Sequence, residues 1–276
     1  MKSFVRRAVT LAATLALTAG SALVATAPAQ AVAVPEHEVS ITKNSSKVTT
    51  STTTGGKSWT VTATFTGPAS DDGLTDVNGD GVGIYYYVQY PQIDLVKSRV
   101  ASPSKPRVAS ASTGSSLKPG DTISITLQTT KYTSPGVYTI KVPVKQYSRL
   151  QDGTQWVYAE SEKFATATFE IHANKKVSVA ETGFSAPSWK TGATAKFTFR
   201  APAYQRGAKV TLYVKKKGTK KYVKLASAKL KEDGYNSSTK IKGKKLRAGD
   251  KIYFKVAKAT YSPAYKTKVV KIKKSW

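Results

Sequence analysis

In the stretch VTLYVKKKGTKKYVKL, residues 210–225, apolar side chains recur at every second position on either side of a lysine-rich turn at Gly218. Val210, Leu212 and Val214 alternate with Thr211, Tyr213 and Lys215. Val223 and Leu225 alternate with Tyr222 and Lys224, and Ile252, Phe254 and Val256 with Lys251, Tyr253 and Lys255. A period of two belongs to a strand with one face in a core and the other in water, so these segments are expected as half-buried strands. Ala195, Phe197 and Phe199 make another, and Val270 with Ile272 closes the chain. The turns KKGT, KEDG and RAGD punctuate them. Short strands at this spacing, with no helical pattern among them, predict an all-β antiparallel sandwich.

The first half repeats the plan less regularly. Trp59, Val61, Ala63 and Phe65 alternate with threonines, Ile123, Ile125 and Leu127 with Thr122, Ser124 and Thr126, and residues 137–144 and 163–171 supply two more strands. LKPGDTISI from Leu117 aligns with LRAGDKIYF from Leu246, and KYTSPGVYTIKVPV from Lys131 with ATYSPAYKTKVVKI from Ala259. The echo predicts two copies of one module, or of one strand-and-turn plan; turns common to unrelated sandwiches are the alternative.

The chain opens with Lys2, Arg6 and Arg7, an apolar run, and Ala29-Gln30-Ala31. That order reads as a signal peptide over residues 1–31, with Ala27 and Ala33 as other cleavage points. Ordinary secretion is favoured, though the arginine pair leaves twin-arginine export open. The chain has no cysteine, so an exported protein must rely on packed cores rather than disulfides. Residues 32–173 hold 13 Lys plus Arg against 12 Asp plus Glu, a net +1; residues 174–276 hold 28 against 4, a net +24. This step in composition places a domain boundary near Asn174.

The segments GAKVTLYVKKKGTKKYVKLASAKLKEDG, LRAGDKIYFKV and SPAYKTKVVKI resemble the bacterial immunoglobulin-like repeat modules of secreted Gram-positive proteins, over residues 205–276 and more weakly over 40–172. SPGVYTIKV looks like the turn into a late strand of such modules, where a tyrosine, here Tyr138, packs across the corner. The resemblance implies two tandem immunoglobulin-like β-sandwich domains, 32–173 and 174–276. It also implies a binding, spacer or cell-surface role rather than chemistry. The lysine content departs from the usual pattern.

Strand parity turns Tyr213, Lys215, Tyr222, Lys224, Lys251, Tyr253 and Lys255 away from the core, and the turn adds Lys216, Lys217, Lys220 and Lys221. If these strands share one sheet, its outer surface is a lattice of lysines interrupted by tyrosine rings. Solubility and edge protection account for a few such lysines. They do not account for +24, because self-repulsion weakens a compact fold and acidic residues would serve solubility equally well. The expected partner is an anionic wall polymer or acidic polysaccharide, with anionic lipid surfaces and non-specific nucleic acid as further candidates. Of the 28 cations 25 are lysines, point charges that argue against sequence-specific reading. The tyrosines are expected either to stack on sugar rings or bases or to serve packing.

In DDGLTDVNGDGVG, Asp76, Asn78 and Asp80 alternate ahead of Gly81, as in the opening of an EF-hand loop, which makes them candidate calcium ligands. The twelfth position, where a bidentate glutamate belongs, is Tyr87, and a plain turn before the strand GIYYYVQY is the other reading. His37 and His172 lie near no serine or acid motif and read as surface residues. The chain is therefore expected to be a non-enzyme with no cofactor beyond candidate calcium. Its alternatives are a structural or adhesive spacer without a specific ligand, or a calcium-dependent binding module.

Overall fold

The computed structural model describes residues 36–43, 47–70, 74–75, 82–112, 117–152, 155–185, 194–234 and 236–273. The first half contains strands β1 (Glu38–Lys43), β2 (Lys47–Thr49), β3 (Lys57–Thr66), β4 (Val82–Val88), β5 (Gln92–Ser98), β6 (Arg107–Ala111), β7 (Thr122–Thr129), β8 (Gly136–Asp152) and β9 (Gln155–His172). They form two sheets, β1-β3-β7-β6 and β2-β9-β8-β4, with β5 also on β8 and β2 running parallel to β9. Phe65 of β3 and Ile125 and Leu127 of β7 meet Tyr86 of β4, Ile140 and Val142 of β8 and Phe169 of β9 in one core. Phe65, Ile125 and Leu127 are inward positions that the alternation assigned. Tyr138 is fully buried and donates to the Ser134 carbonyl at 2.6 Å, the expected tyrosine across the corner, and burial pushes its phenol up to about 12.

β8 and β9 run well past the expected limits. Beyond Val144 the core-facing positions of β8 are Gln146 and Ser148, each 1% exposed. Polar residues inside a strand erase the hydrophobic alternation while the backbone ladder continues. Gln146 Oε1 lies 2.7 Å from His37 Nδ1, and the Gln146 amide donates to Ser148 Oγ at 3.1 Å. His37 is thus a correction: it is buried, packs against Phe65 and Tyr86, and lies 3.2 Å through Nε2 from the Val144 carbonyl. Buried polar groups need such partners, which come from strands remote in sequence.

At the junction Asn174 caps a helix, α1 (Lys175–Ala180), its side chain accepting from the Lys176 N–H at 2.9 Å. The expectation of no helix fails here because six residues are too few to show a 3.6 period. The strands that follow are β10 (Gly183–Ser185), β11 (Thr194–Pro202), β12 (Lys209–Lys215), β13 (Val223–Lys229), β14 (Lys231–Asp233), β15 (Asn236–Lys245), β16 (Lys251–Val256), β17 (Tyr265–Lys266) and β18 (Val270–Lys271). Sheets β10-β11-β15-β14 and β13-β12-β16-β17, with β18 also on β16, enclose a second core that includes Phe197, Phe199, Leu212, Ile241 and Phe254. Among the described residues the chain is all-β apart from α1 and a 3-10 turn at Ala203–Gln205, and its sheets pack in pairs as sandwiches. Polar contacts tie the halves. The Ala173 N–H donates to the Tyr261 carbonyl at 2.7 Å, the Asn174 N–H to Thr50 Oγ1 at 2.9 Å, and Arg99 Nη1 to the Arg206 carbonyl at 2.6 Å.

The two LxxGD turns have one geometry. Leu117 and Leu246 are both buried; Asp121 and Asp250 accept from the N–H of Lys118 and Arg247 at 2.7 and 3.0 Å; Gly120 and Gly249 hold φ of 90° and 93°, which glycine adopts without strain. β7 and β16 follow these turns. The second echo diverges, because β8 crosses to the sheet opposite β7 whereas β17 and β18 pair directly with β16. The strand-and-turn plan is repeated; the sheet order is not.

Candidate functional site

All the strands that carry the predicted lysines and tyrosines lie in one sheet, β13-β12-β16-β17 with β18. With Val210, Leu212 and Val214 in the core, Lys209, Thr211, Tyr213 and Lys215 take the other face. Directly opposite residues of antiparallel strands share a face, and on this one Tyr213 lies opposite Lys224 and Tyr253. Lysine meets lysine four times: Lys209 with Lys229, Lys215 with Lys251, Lys251 with Lys271, and Lys255 with Lys266. The partner sheet has one such pair among the described residues, Lys196 with Lys242. Like charges directly opposite are destabilising.

The carboxylates of this half lie elsewhere. Glu181 accepts from the Tyr204 hydroxyl at the junction, Glu232 pairs with Arg206, Asp233 is on β14 of the partner sheet, and Asp250 is buried beneath a turn. The charged side chains on the outer face of the sheet are therefore all cations among the described residues.

Asp250 organises one end of that sheet. Its side chain, 1% exposed, accepts from the Lys217 N–H at 3.0 Å, the Arg247 N–H at 3.0 Å and the Lys216 ammonium at 3.1 Å. Burial alone would raise its carboxyl, but the donors prevail and hold it below the usual carboxylate range. The hairpin turn and the LRAGD turn are thereby joined, and the charge of Lys216, a predicted ligand, is taken up within the fold. Beside them opens a cleft of about 840 Å³ whose lining includes Lys215, Lys217, Lys251, Lys271 and Lys273. Lys220 and Lys221 are exposed in the hairpin connection and do not line it. Lys271 and Lys273 were missed in the sequence, although they flank Ile272, which is buried in the core.

The tyrosine rings pack on one another. Tyr213 and Tyr253 stack with centroids 5.1 Å apart and planes 5° from parallel; Tyr222 meets Tyr253 edge-on at 5.0 Å and 67°; and Lys266 Nζ lies 5.6 Å from the Tyr253 centroid. The packing role expected for these tyrosines is seen at the faces that meet. Partial burial, and then Tyr213 and Tyr222, raise the Tyr253 phenol, which stays neutral and leaves the charge to the lysines. Val223 is a second correction. It lies opposite Val214, as a core-side residue should, but it begins an edge strand and is 55% exposed. Leu225 is the extra residue of a bulge, since Leu212 pairs with Ala226 and Tyr213 with Lys224.

The candidate calcium ligands Asp76, Asn78 and Asp80 lie outside the described residues, as does the signal-peptide segment. Among the described residues no group of three or more His, Asp or Glu is placed to hold a metal ion, and no helix is long and apolar enough to cross a membrane. His172 is half-buried at the junction, 2.8 Å from Glu170 and edge-on to Tyr261.

No family model matches the chain, and no curated protein matches it. Among solved structures it is similar to a YadV chaperone, 13% identical over 85% of this chain and 100% of that one, with a TM-score of 0.24. It is also similar to a marsupial T cell receptor, 12% identical over 84% of this chain and 73% of that one, with a TM-score of 0.29. Scores this low do not establish a shared fold.

Proposed function

We propose that this is a secreted, non-enzymatic binding protein of two tandem immunoglobulin-like sandwiches, residues 32–173 and 174–276, exported by a signal peptide over 1–31. The second sandwich attaches it to anionic wall polymers or acidic polysaccharide outside the cell. The observation that supports this reading is the sheet face on which lysines oppose lysines in four cross-strand pairs with no carboxylate among them. A fold retains such repulsion at a cost in stability. A bound polyanion relieves it and releases its own counterions, so the same arrangement that strains the free protein favours the complex. Lysine suits this task better than arginine where the target is a repetitive charge rather than a specific edge.

Cosedimentation of the chain with isolated wall material tests the reading. The protein should pellet at low salt, be released by a high-salt wash, and fail to pellet with wall stripped of its anionic polymer. Equal pelleting with stripped wall, or pelleting indifferent to salt, contradicts it.

A further inference from the structure

We infer that the cleft between the hairpin turn and the LRAGD turn is a site for the phosphodiester groups of a polyol- or sugar-phosphate polymer, an inference that deepens the proposed function and rests on it. Lys215, Lys251 and Lys271 form an unbroken row across β12, β16 and β18 and line the cleft, where Lys217 and Lys273 join them. Neighbouring strands lie about 4.8 Å apart, so ammonium groups from adjacent strands flank a single tetrahedral phosphate from two sides.

The frame is fixed before any ligand arrives. Asp250 ties both turns together through two backbone N–H groups, and glycines at 218 and 249 hold φ of 84° and 93°. The stem of Lys217 lies against Gly249, where an added Cβ would come within 3.1 Å of it. Lys217 is thereby held over the LRAGD turn, and a positioned cation loses less freedom on binding than a loose one.

The residue types choose among anions. Planar carboxylates are recognised best by the guanidinium fork, whereas lysine acts on phosphate as a point charge. Every cation lining this cleft is a lysine, and Arg247 lines a neighbouring depression instead. Nucleic acid is disfavoured by the tyrosines on the adjoining face. Single-stranded binding draws on free ring faces, and one face of each of Tyr213 and Tyr253 is taken up by the other ring.

The test uses residues 32–276 and fluorescence titration at one ionic strength with poly(glycerol phosphate), a polyuronate of equal charge per length, and an oligothymidylate. Two variants each remove three charges from the same face: K215Q/K251Q/K271Q at the cleft and K209Q/K229Q/K255Q at the far end. Both should melt no lower than the parent, since each relieves like-charge opposition. Poly(glycerol phosphate) should bind about ten-fold or more tighter than the other two polymers; the cleft variant should lose about ten-fold or more of that affinity and the far-end variant about three-fold or less. Equal losses from both variants, or a polyuronate bound as tightly, overturn the cleft assignment and leave attachment through the sheet face standing. Tighter binding of the oligothymidylate overturns it in favour of nucleic acid. No loss from either variant defeats the proposed function as well.

Discussion

The outer faces of two sheets in this protein, one in each half, are both rich in aromatic rings and lysines, and they handle charge in opposite ways. On β8 and β9, Lys145 donates to Glu160 and Lys141 Nζ lies 4.0 Å from the Phe164 ring centroid, so these cations meet a carboxylate or a ring. On β12, β16 and their neighbours, lysine faces lysine. Paired sheets, alternation and a tyrosine-bearing surface are common to both, so a sandwich of this kind does not require the uncompensated charge. The second half has it in addition, at a cost in self-repulsion that a partner of opposite sign would relieve.

The largest expected effect falls on the paired turns that the two halves share. Asp250→Ala leaves two part-buried N–H groups and a lysine without their acceptor and should cost about 2–3 kcal/mol in thermal or urea unfolding. Asp121→Ala, in the equivalent but more open turn, should cost about 1 kcal/mol or less. Similar costs would erase the contrast between the turns. The sign of the pH dependence follows from the depressed Asp250 carboxyl. Its stabilisation is present above the pH range where an unfolded aspartate ionises, near 4, and is lost as acid carries pH down through the lower folded value. Unfolding in Asp250→Asn should show less acid sensitivity below that pH than the parent.

Next in size is Tyr138→Phe, which removes the bond to the Ser134 carbonyl inside the first core and should cost about 1–2 kcal/mol with no change in polymer binding. The smallest stability effect is expected at the contrasted faces themselves. Lys251→Glu converts two like-charge oppositions into attractions and should stabilise the protein by about 0.2–1 kcal/mol while weakening attachment. Lys145→Gln on the first half should leave both stability and attachment essentially unchanged. If Lys145→Gln weakened binding as much as Lys251→Glu, the distinction between the faces would be lost.

Much of the fold was legible because a core is apolar and a strand alternates. Val210, Leu212, Phe254 and Ile125 declared their faces by that rule alone, and Tyr138 declared its corner through the SPGVY turn. The rule went silent where the inside is polar, at Gln146 and Ser148, whose partner His37 lies more than 100 residues away. Local patterning also had no means of showing that β12, β13 and β16 share a sheet. The lattice of lysines was therefore conditional until their register was known, and Lys271 and Lys273 went unnoticed beside Ile272. Asp250 looked like one more turn residue, since neither its burial nor its hold on the hairpin across 33 residues is a local property.

The most direct measurement is the salt dependence of binding to a purified anionic wall polymer, for the parent and for a chain in which Lys209, Lys215, Lys251 and Lys255 are glutamine. The logarithm of the parent's association constant should fall linearly with the logarithm of salt concentration, losing roughly 0.7–0.9 units per phosphate contact, and the variant's slope should be shallower by several contacts. A parent slope near zero, or one that the four substitutions leave unchanged, would contradict the claim that this sheet was shaped to lie against negative charge.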